Sequence, residues 1–299
     1  MKTTSHQSGV TAIIGPPNAG KSTLLNHLLQ LKIAIVTPKP QTTRNRIMGI
    51  VTGEHYQMIL LDTPGLHKAR EEMNRQMVRV AMESLSEADV VLFLVDATDM
   101  PPKKLDQRAE EYKSYLDKVQ APVVLALNKV DLLDPPRLLP VMEWYGKLHP
   151  FSAIVPISAL EGSAVDTLTE ELVKHLPEGP QYYPDDLPTD ATERFIASEI
   201  IREKVFLLTR DEVPYSTAVV IDQFEEGEPV VIHATIMVER SSQKGILVGQ
   251  KGRMLATIRQ QSTADIEHLL GCKVQLHLWI KVRKNWSSNQ NILRDLGLA

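Results

Sequence analysis

Short apolar runs alternate with amphipathic stretches through residues 10–175, and this alternation predicts the fold of the first part of the chain. Nearly continuous aliphatic runs, typical of strands buried on both faces, occur at 10–14, 47–52, 56–61, 90–95, 122–127 and 153–157. Apolar residues at helical spacing mark the stretches between them, at 21–30, 70–87, 103–119, 136–148 and 164–175. We therefore predict an α/β domain, a mostly parallel sheet with helices on both faces. One edge is expected to be antiparallel, because Gly53-Glu54 suits a hairpin turn.

The pattern changes at residues 176–188, which contain four prolines. Such segments form stiff, extended linkers, and Tyr182 and Tyr183 could pin this one against a domain. Beyond it, the pattern predicts a helix at 193–208, strands at 216–224 and 230–239, a helix at 253–270 and a strand at 273–282. We therefore predict a second, α+β domain, so that the chain divides into 1–176, a linker at 177–189, and 190–299.

The overall composition is that of a globular protein, with 43% hydrophobic and 23% charged residues. A net charge of −4 gives no nucleic-acid signature, so any such surface must be local. The stretch from Arg240 to Lys284 contains nine Lys or Arg residues and only two acidic residues, Asp265 and Glu267. The first nine residues lack the apolar core of a signal peptide, and no apolar run is long enough to span a bilayer. The single cysteine, Cys272, excludes a disulfide within the chain, which suits a reducing cytosol.

The stretch Gly15-Pro16-Pro17-Asn18-Ala19-Gly20-Lys21-Ser22 fits the phosphate-binding loop pattern G-x-x-x-x-G-K-[ST]. It lies between a predicted strand and a predicted helix, an arrangement that points backbone N–H groups and a helix N-terminus at phosphates. We expect Lys21 to reach the β- and γ-phosphates and the Ser22 hydroxyl to bind Mg²⁺. The residues predicted to bind the nucleotide here are Gly15, Asn18, Ala19, Gly20, Lys21, Ser22 and Thr23.

The motif Asn128-Lys129-Val130-Asp131 indicates guanine as the base. It follows a buried strand, and open α/β sheets bind ligands at the carboxyl ends of their strands. Asp131 can accept from the two N–H donors on the Watson–Crick side of guanine, Asn128 can bond at the other edge, and the Lys129 stem can cover the base. Adenine lacks that donor pair, so acceptors built for guanine reject it. Ser158 and Ala159, after the last strand, are predicted to contact guanine through backbone N–H groups.

Two further segments are predicted to sense the γ-phosphate. Asp62-Thr63-Pro64-Gly65 follows a strand, which places Asp62 to hold Mg²⁺, mostly through water, and the Gly65 N–H to donate to the γ-phosphate. The polar segment Lys39-Pro40-Gln41-Thr42-Thr43-Arg44 precedes it, and a threonine hydroxyl there could complete the Mg²⁺ shell. We favour Thr43 over Thr42 for this role. The predicted catalytic residues are therefore Lys21, Thr43, Asp62 and Gly65.

The second predicted domain carries Gly249-Gln250-Lys251-Gly252 before a long helix. KH domains clamp about four nucleotides of a single strand by means of a GxxG turn that joins two helices. The α-β-β-α-α-β order around this turn and the local excess of basic residues favour that interpretation. Lys251 supplies charge, and Ile246 and Val248 offer an apolar surface for bases. The predicted RNA-binding residues are Ile246, Val248, Gly249, Gln250, Lys251, Gly252 and Arg253.

In this order the motifs resemble the translation-factor-related GTPases, especially the subgroup with G-x-P-N-x-G-K-S, a Q-T-T-R switch and D-T-P-G followed by an apolar residue. That residue is Leu66, where Ras-like proteins carry a glutamine that positions water. Because leucine cannot orient water, intrinsic hydrolysis is expected to be slow. The resemblance also implies that Asn18 binds a potassium ion beside the phosphates, so that K⁺ stimulates hydrolysis. A plain loop-capping role for Asn18 is the alternative.

A single GTPase domain of this subgroup, a Tyr-Pro linker and a C-terminal KH domain together resemble the Era family of bacterial ribosome-assembly GTPases. The resemblance covers essentially the whole chain, including Val213-Pro214-Tyr215-Ser216 and Val282-Arg283-Lys284-Asn285-Trp286. It implies a Mg²⁺-dependent enzyme that converts GTP to GDP and phosphate. It also implies that the KH domain binds the single-stranded 3′ end of 16S rRNA during assembly of the 30S subunit. A monomer is expected, in the cytoplasm and with peripheral association with the inner membrane.

Two other classes of function stay open from the residues alone. One is a regulatory GTPase that binds a protein or a membrane through its basic patch, although the sequence shows no Lys-rich amphipathic helix. The other is an RNA-modifying enzyme, although the sequence shows no nucleophile–base pair or metal-ligand cluster outside the GTP site.

Overall fold

The computed structural model describes residues 6–40, 42–65, 72–98 and 105–296, which belong to two compact units. The first unit contains residues 6–31, 45–65, 78–98 and 105–190. The second contains residues 32–40, 42–44, 72–77 and 191–296. Two residues singled out in the sequence, Gln41 and Leu66, lie outside the described residues.

Six strands form the sheet of the first unit: β1 (Gln7–Ile14), β2 (Ile47–Gly53), β3 (Tyr56–Asp62), β4 (Val90–Asp96), β5 (Val123–Asn128) and β6 (Ala153–Pro156). Their spatial order is β2-β3-β1-β4-β5-β6. Neighbouring strands are parallel except β2 and β3, whose pairing is antiparallel and closes at Gly53 and Tyr56. The predicted mostly parallel sheet with one antiparallel edge is confirmed.

Five helices alternate with these strands along the chain: α1 (Lys21–Leu29), α2 (Glu72–Glu87), α3 (Leu105–Leu116), α4 (Pro135–Gly146) and α5 (Val165–Val173). The central strands β4 and β5 are unbroken apolar runs because both faces of the sheet are covered. Phe93 and Leu125 are both fully buried there. Each such side chain contributes about 1.5–3 kcal/mol of hydrophobic stabilisation, so this core fixes the strand ends that carry the loops.

The proline-rich linker belongs to the first unit and is bound along its sheet. Gln57 on β3 is fully buried, and its Oε1 accepts from the backbone N–H groups of Tyr182 at 2.8 Å and Tyr183 at 2.9 Å. Its Nε2 donates to the Tyr183 carbonyl at 2.9 Å. The Ile50 N–H donates to the Pro188 carbonyl at 2.8 Å. The tyrosines therefore pin the linker through their backbone groups.

The second unit contains a three-stranded sheet of β7 (Ala218–Glu225), β8 (Val230–Val238) and β9 (Val274–Val282), in that spatial order. The β7–β8 pair is antiparallel and the β8–β9 pair is parallel. The helices of this unit's C-terminal part are α6 (Glu193–Leu208), α7 (Ser241–Val248), α8 (Arg253–Leu270) and α9 (Gln290–Asp295). The α-β-β-α-α-β order predicted from the sequence is confirmed.

Sequence reasoning missed α9 and the short 3-10 helix Trp286–Ser288 before it. Both are too short for a helical period to be recognised, yet they build a core. Trp286 is fully buried and its indole N–H donates to the Ser216 carbonyl at 3.0 Å, while Leu293 packs in the same cluster. Among the described residues of either unit, no helix has the length and apolarity needed to cross a bilayer.

Candidate functional site

The loops predicted to bind the nucleotide meet at one edge of the sheet in the first unit. The phosphate-binding loop follows β1, the Asp62–Gly65 loop follows β3, Lys129–Asp131 follows β5 and Ser158-Ala159 follows β6. These four strands are parallel, so their carboxyl ends face the same side. Motifs that are more than a hundred residues apart in the sequence therefore converge on one crevice.

Lys21 is a buried cation at the first turn of α1. Its side chain is enclosed by the phosphate-binding loop, where Nζ donates to the carbonyl oxygens of Gly15 at 3.2 Å and Pro16 at 3.0 Å. Burial lowers the pKa of Lys21 to about 8, although the negative charge of Asp62 acts in the opposite direction. A buried ammonium beside a helix N-terminus stabilises anions. The loop therefore fits the phosphates predicted for it.

We predict that GTP affinity falls as the pH rises above about 8, by up to tenfold per pH unit. The free protein loses the Lys21 proton in that range, whereas the phosphate-bound state needs the ammonium, so binding must take up a proton. Isothermal titration calorimetry with GDP, in buffers of different ionisation enthalpy at about pH 8, measures this uptake. Lys21→Arg is the matched control, because its guanidinium stays charged. Binding without proton uptake would contradict the assignment.

The predicted Mg²⁺ ligands of the first unit lie together. The Ser22 hydroxyl donates to Asp62 Oδ2 at 2.7 Å, and Asp62 is fully buried. A hydroxyl and a carboxylate are the oxygen ligands that Mg²⁺ takes beside nucleotide phosphates. Within the described ranges, no group of three or more His, Cys, Asp or Glu residues could hold a metal by itself.

Gly65 allows the loop after β3 to approach the phosphate-binding loop. A Cβ atom at this position would lie 2.9 Å from the Pro17 nitrogen, closer than side-chain carbons are found to backbone atoms. Thr63 holds the loop from the other side, because its hydroxyl donates to the Ile13 carbonyl at 2.8 Å. The Gly65 backbone thus lies against the phosphate-binding loop, and donation from its N–H to the γ-phosphate stays a prediction.

Asn128 connects three loops, which sequence reasoning did not foresee. Its Nδ2 donates to the Ala19 carbonyl at 2.7 Å, and its Oδ1 accepts from the Ala159 N–H at 2.9 Å. A Cβ atom on Gly20 would lie 2.2 Å from that Nδ2, so glycine is required for the contact. Asn128 therefore positions the phosphate-binding loop and the Ser158-Ala159 loop. Its second Nδ2 hydrogen is available for the predicted contact with the base.

The backbone N–H groups of Ser158 and Ala159 are already engaged, by the Ser163 carbonyl at 3.0 Å and by Asn128. The contact of Ser158 and Ala159 with guanine stays a prediction. Lys129 is held by an ion pair with Asp96, at 2.5 Å between Nζ and Oδ2, which the sequence did not single out.

Asp131 lies in the 3-10 helix Val130–Leu132 and is exposed. The Val130 N–H donates to the Ile157 carbonyl at 3.2 Å, so the loop is attached to the end of β6. The Asp131 carboxylate is therefore accessible to a ligand, and a main-chain hydrogen bond fixes the loop that carries it. This is the arrangement expected for a residue that selects the base.

Residues 32–40 and 42–44, here called the switch segment, belong to the second unit. Lys32 pairs with Glu203 at 2.6 Å and with Asp265 at 3.1 Å. Glu203 also accepts from the Val36 N–H at 3.1 Å, and Lys39 donates to the carbonyls of Phe206 and Thr209 at the end of α6. One face of α6 therefore binds the first half of the segment.

Arg44 anchors the other end of the switch segment. Its guanidinium donates to the carbonyls of Thr217 at 2.6 Å, Tyr215 at 2.8 Å and Pro214 at 3.2 Å, and it lies near the Phe206 ring. Burial, together with the nearby positive charge of Arg202, lowers the pKa of Arg44 to about 9, so the guanidinium is still charged at neutral pH.

Arg202, which forms a buried pair with Glu199, donates to the Thr42 carbonyl at 2.7 Å. Thr43, between these anchors, is buried in the second unit. Its coordination of Mg²⁺ stays a prediction. The residues that hold the switch segment were not among those predicted from the sequence, since only the fold brings them together.

The predicted RNA-binding loop joins α7 to α8, as the sequence indicated. Gly249 and Gly252 have φ values of 68° and 78°, which favour glycine, and no heavy atom lies within 4 Å of the position that a Cβ on Gly252 would take. Gln250, Lys251 and Arg253 are exposed, and Ile246 is 47% exposed beside them. An open backbone flanked by basic side chains and an apolar residue can clamp a nucleic-acid backbone.

Two family models match the two halves of this description. Residues 10–129 match the 50S ribosome-binding GTPase family and residues 212–287 match the KH domain family. The chain is 50% identical to GTPase Era of Geobacter metallireducens over 99% of both chains. It is 48% identical to GTPase Era of Syntrophus aciditrophicus, over 97% of this chain and 95% of the relative.

Solved structures agree with the fold. A variant of Aquifex aeolicus Era bound to GDP·AlF₄⁻ matches 98% of this chain with 40% identity and a TM-score of 0.91. Era in complex with MgGDPNP and nucleotides 1506–1542 of 16S ribosomal RNA matches the same share with 40% identity and a TM-score of 0.92. The phosphate crevice, the guanine loop and the GxxG loop therefore stand in a known architecture, and the chain belongs to the Era family of GTPases.

Proposed function

We propose that this GTPase binds the single-stranded 3′ end of 16S rRNA through the Gly249–Gly252 loop and acts in assembly of the 30S ribosomal subunit. The loop supplies an open backbone for phosphates, and Lys251 and Arg253 supply charge beside it. The relative that was crystallised with nucleotides 1506–1542 of 16S rRNA shares the whole fold with this chain, which supports the choice of RNA.

In the nucleotide site, Lys21 binds the phosphates and Asp131 selects guanine, while Ser22, Asp62 and Thr43 hold Mg²⁺, which neutralises charge on the phosphates. The Gly65 N–H donates to the γ-phosphate, so this loop and Thr43 respond when water attacks and phosphate leaves. Hydrolysis is slow, because Leu66 offers no group to orient water. Asn18, whose φ of 62° is left-handed, is proposed to bind K⁺ beside the phosphates.

The attachment of the switch segment to α6 is the observation that carries the proposed mechanism. The same segment contains Thr43 and is held by Glu203, Arg202 and the carbonyls around Tyr215 in the unit that bears the RNA loop. We propose that these contacts change when Thr43 binds Mg²⁺ with GTP, and that the change is passed to the unit that bears the RNA loop. By linkage, RNA must tighten GTP binding by the factor by which GTP tightens RNA binding.

The assignment of domains stays part of the proposal: a GTPase domain at 1–176, a linker at 177–189 and a KH domain at 190–299. We also propose a monomer in the cytoplasm that associates peripherally with the inner membrane. The alternative, a regulatory GTPase with a membrane or protein partner only, is not favoured, because the KH match and the RNA-bound relative both point to RNA.

The test is a titration of the 16S 3′-end RNA into protein loaded with GDP or with a non-hydrolysable GTP analogue. We predict tighter binding with the analogue, and a loss of about tenfold to a hundredfold in Lys251→Asp, because one phosphate contact is replaced by a repulsive charge. Fluorescence anisotropy of labelled RNA at fixed salt measures both effects.

Lys118→Asp is the matched control, since it changes the charge equally at an exposed position of the first unit. If the RNA affinity is the same with either nucleotide and is unchanged in Lys251→Asp, the proposed function is wrong, while the GTPase assignment stands.

A further inference from the structure

Three aromatic rings lie side by side on the sheet of the second unit. His233 is on β8, and His277 and Trp279 are on β9. The ring centroids are 4.8 Å apart for the two histidines, 5.3 Å for His233 and Trp279, and 6.0 Å for His277 and Trp279. The plane of Trp279 differs from those of the two histidines by about 25°, and the two histidine planes differ by 40°. These residues, here called the ring row, form one aromatic cluster.

The ring row is on the face of the sheet that the KH helices leave uncovered. Ile232, Ala234 and Ile236 on β8 are fully buried, and His233 alternates with them, so it points to the other face. His233 pairs in register with His277, and Thr235 with Trp279. Another part of this face is covered by the cluster around Trp286, which includes Met237. Trp279 lies outside that cluster and is 49% exposed.

On β9 the charged residues that flank the ring row are basic. Between residues 273 and 284 there is no Asp or Glu, while Lys273, Lys281, Arg283 and Lys284 are all exposed. Lys281 follows Trp279 by two residues along β9, so both point to the same face. On β7, the carboxylate of Asp222 accepts from the Thr235 hydroxyl at 2.7 Å. A row of flat rings with a cation two positions away suits unpaired bases with their phosphates.

We propose that the ring row is a second RNA-binding surface, on which unpaired bases stack against Trp279 and the histidines while Lys281 contacts a neighbouring phosphate. The inference rests on the proposed function. A GxxG loop holds only about four nucleotides, so the RNA proposed above has further unpaired or flanking nucleotides to place. Rings mounted on a sheet bind bases in other RNA-binding modules, because every base presents a π-face.

The experiment compares two RNAs: the segment corresponding to nucleotides 1506–1542, and a fragment of about four nucleotides, which is the length that the GxxG loop holds. We expect Trp279→Ala to weaken binding of the long RNA about tenfold and to leave the fragment unaffected. Trp279→Phe keeps a ring and should bind nearly as the wild type does. Lys251→Asp should weaken both RNAs.

Tryptophan fluorescence gives a direct readout. Stacking on Trp279 should quench the wild-type emission when the long RNA binds. Trp279→Phe should lose that quenching, since of the other two tryptophans Trp286 is fully buried and Trp144 lies on α4 of the first unit. Because Trp279 is half-exposed, its variants should unfold at the wild-type temperature, and a thermal scan checks this.

Suppose that the long RNA binds in a way that depends on Lys251, that Trp279→Ala does not change this binding, and that no quenching occurs. This result would overturn the proposal for the ring row and leave the proposed function standing. If neither RNA binds the wild-type protein, both proposals fail. A loss in Trp279→Ala that is equal for both RNAs would also count against a separate surface.

Discussion

Replacing Asp131 with asparagine is expected to lower GTP affinity by about a thousandfold and to create affinity for xanthosine triphosphate. The carboxylate accepts both donors of the guanine edge, whereas an amide meets the guanine amino group with its own N–H donors. In xanthine that amino group is replaced by an oxygen, which accepts from the asparagine Nδ2. Competition titrations with a fluorescent nucleotide measure both affinities.

Asp134→Asn is the matched control for this change. Asp134 follows the same loop, is exposed and loses the same charge, so its replacement should change affinity for either nucleotide by less than about twofold. If Asp131→Asn keeps its GTP affinity, other groups read the base and the guanine assignment of this loop is wrong. A loss of GTP binding without any gain for the xanthine nucleotide would point to damage of the loop.

Replacing Arg44 with alanine is expected to lower the free energy of unfolding by about 3 kcal/mol, since two buried carbonyl groups and one partly buried carbonyl group lose their donor. The stacking of the guanidinium near Phe206 and Trp286 is lost as well. The free energy of unfolding of Arg44→Lys should lie between those of the wild type and Arg44→Ala. An ammonium lacks the planar fork of a guanidinium and cannot reach all three carbonyls. Thermal and urea unfolding of the nucleotide-free protein measure the loss.

Arg46 offers the control, since it pairs with Glu87 at the surface and Arg46→Ala should cost no more than about 0.5 kcal/mol. A functional readout separates anchoring from mere stability. If Arg44 transmits the state of the switch segment, the difference in RNA affinity between GDP and the GTP analogue should shrink in Arg44→Ala at a temperature where the variant is folded. An unchanged difference would show that the second unit senses the nucleotide by another route.

The nucleotide site could be predicted from sequence because each of its parts is local. The phosphate-binding loop is one continuous stretch between a strand and a helix. Asp62 and Asp131 each lie within a few residues of the end of a buried apolar run. Since parallel strands bring their carboxyl ends to one edge, the order of the motifs was enough to place them in one crevice. The GxxG loop was recognisable for the same reason, as a short turn within a predicted order of elements.

The sequence did not reveal how these parts are held. Asn128 was assigned to the base, yet its amide also joins the phosphate-binding loop to the loop after β6. Gln57 was not singled out at all, although it fixes the linker through two backbone N–H groups. Hydrogen-bond partners of this kind are more than thirty residues apart in the sequence, and no spacing rule encodes them.

The nucleotide, the order of the elements and the two kinds of site could be predicted from residue type and local spacing. The position of the switch segment on α6, the bonds from Arg44 to the carbonyls of Pro214, Tyr215 and Thr217, and the contact of His233 with Trp279 could not. A contact between distant parts of the chain follows from strand register and packing, which the whole core fixes together.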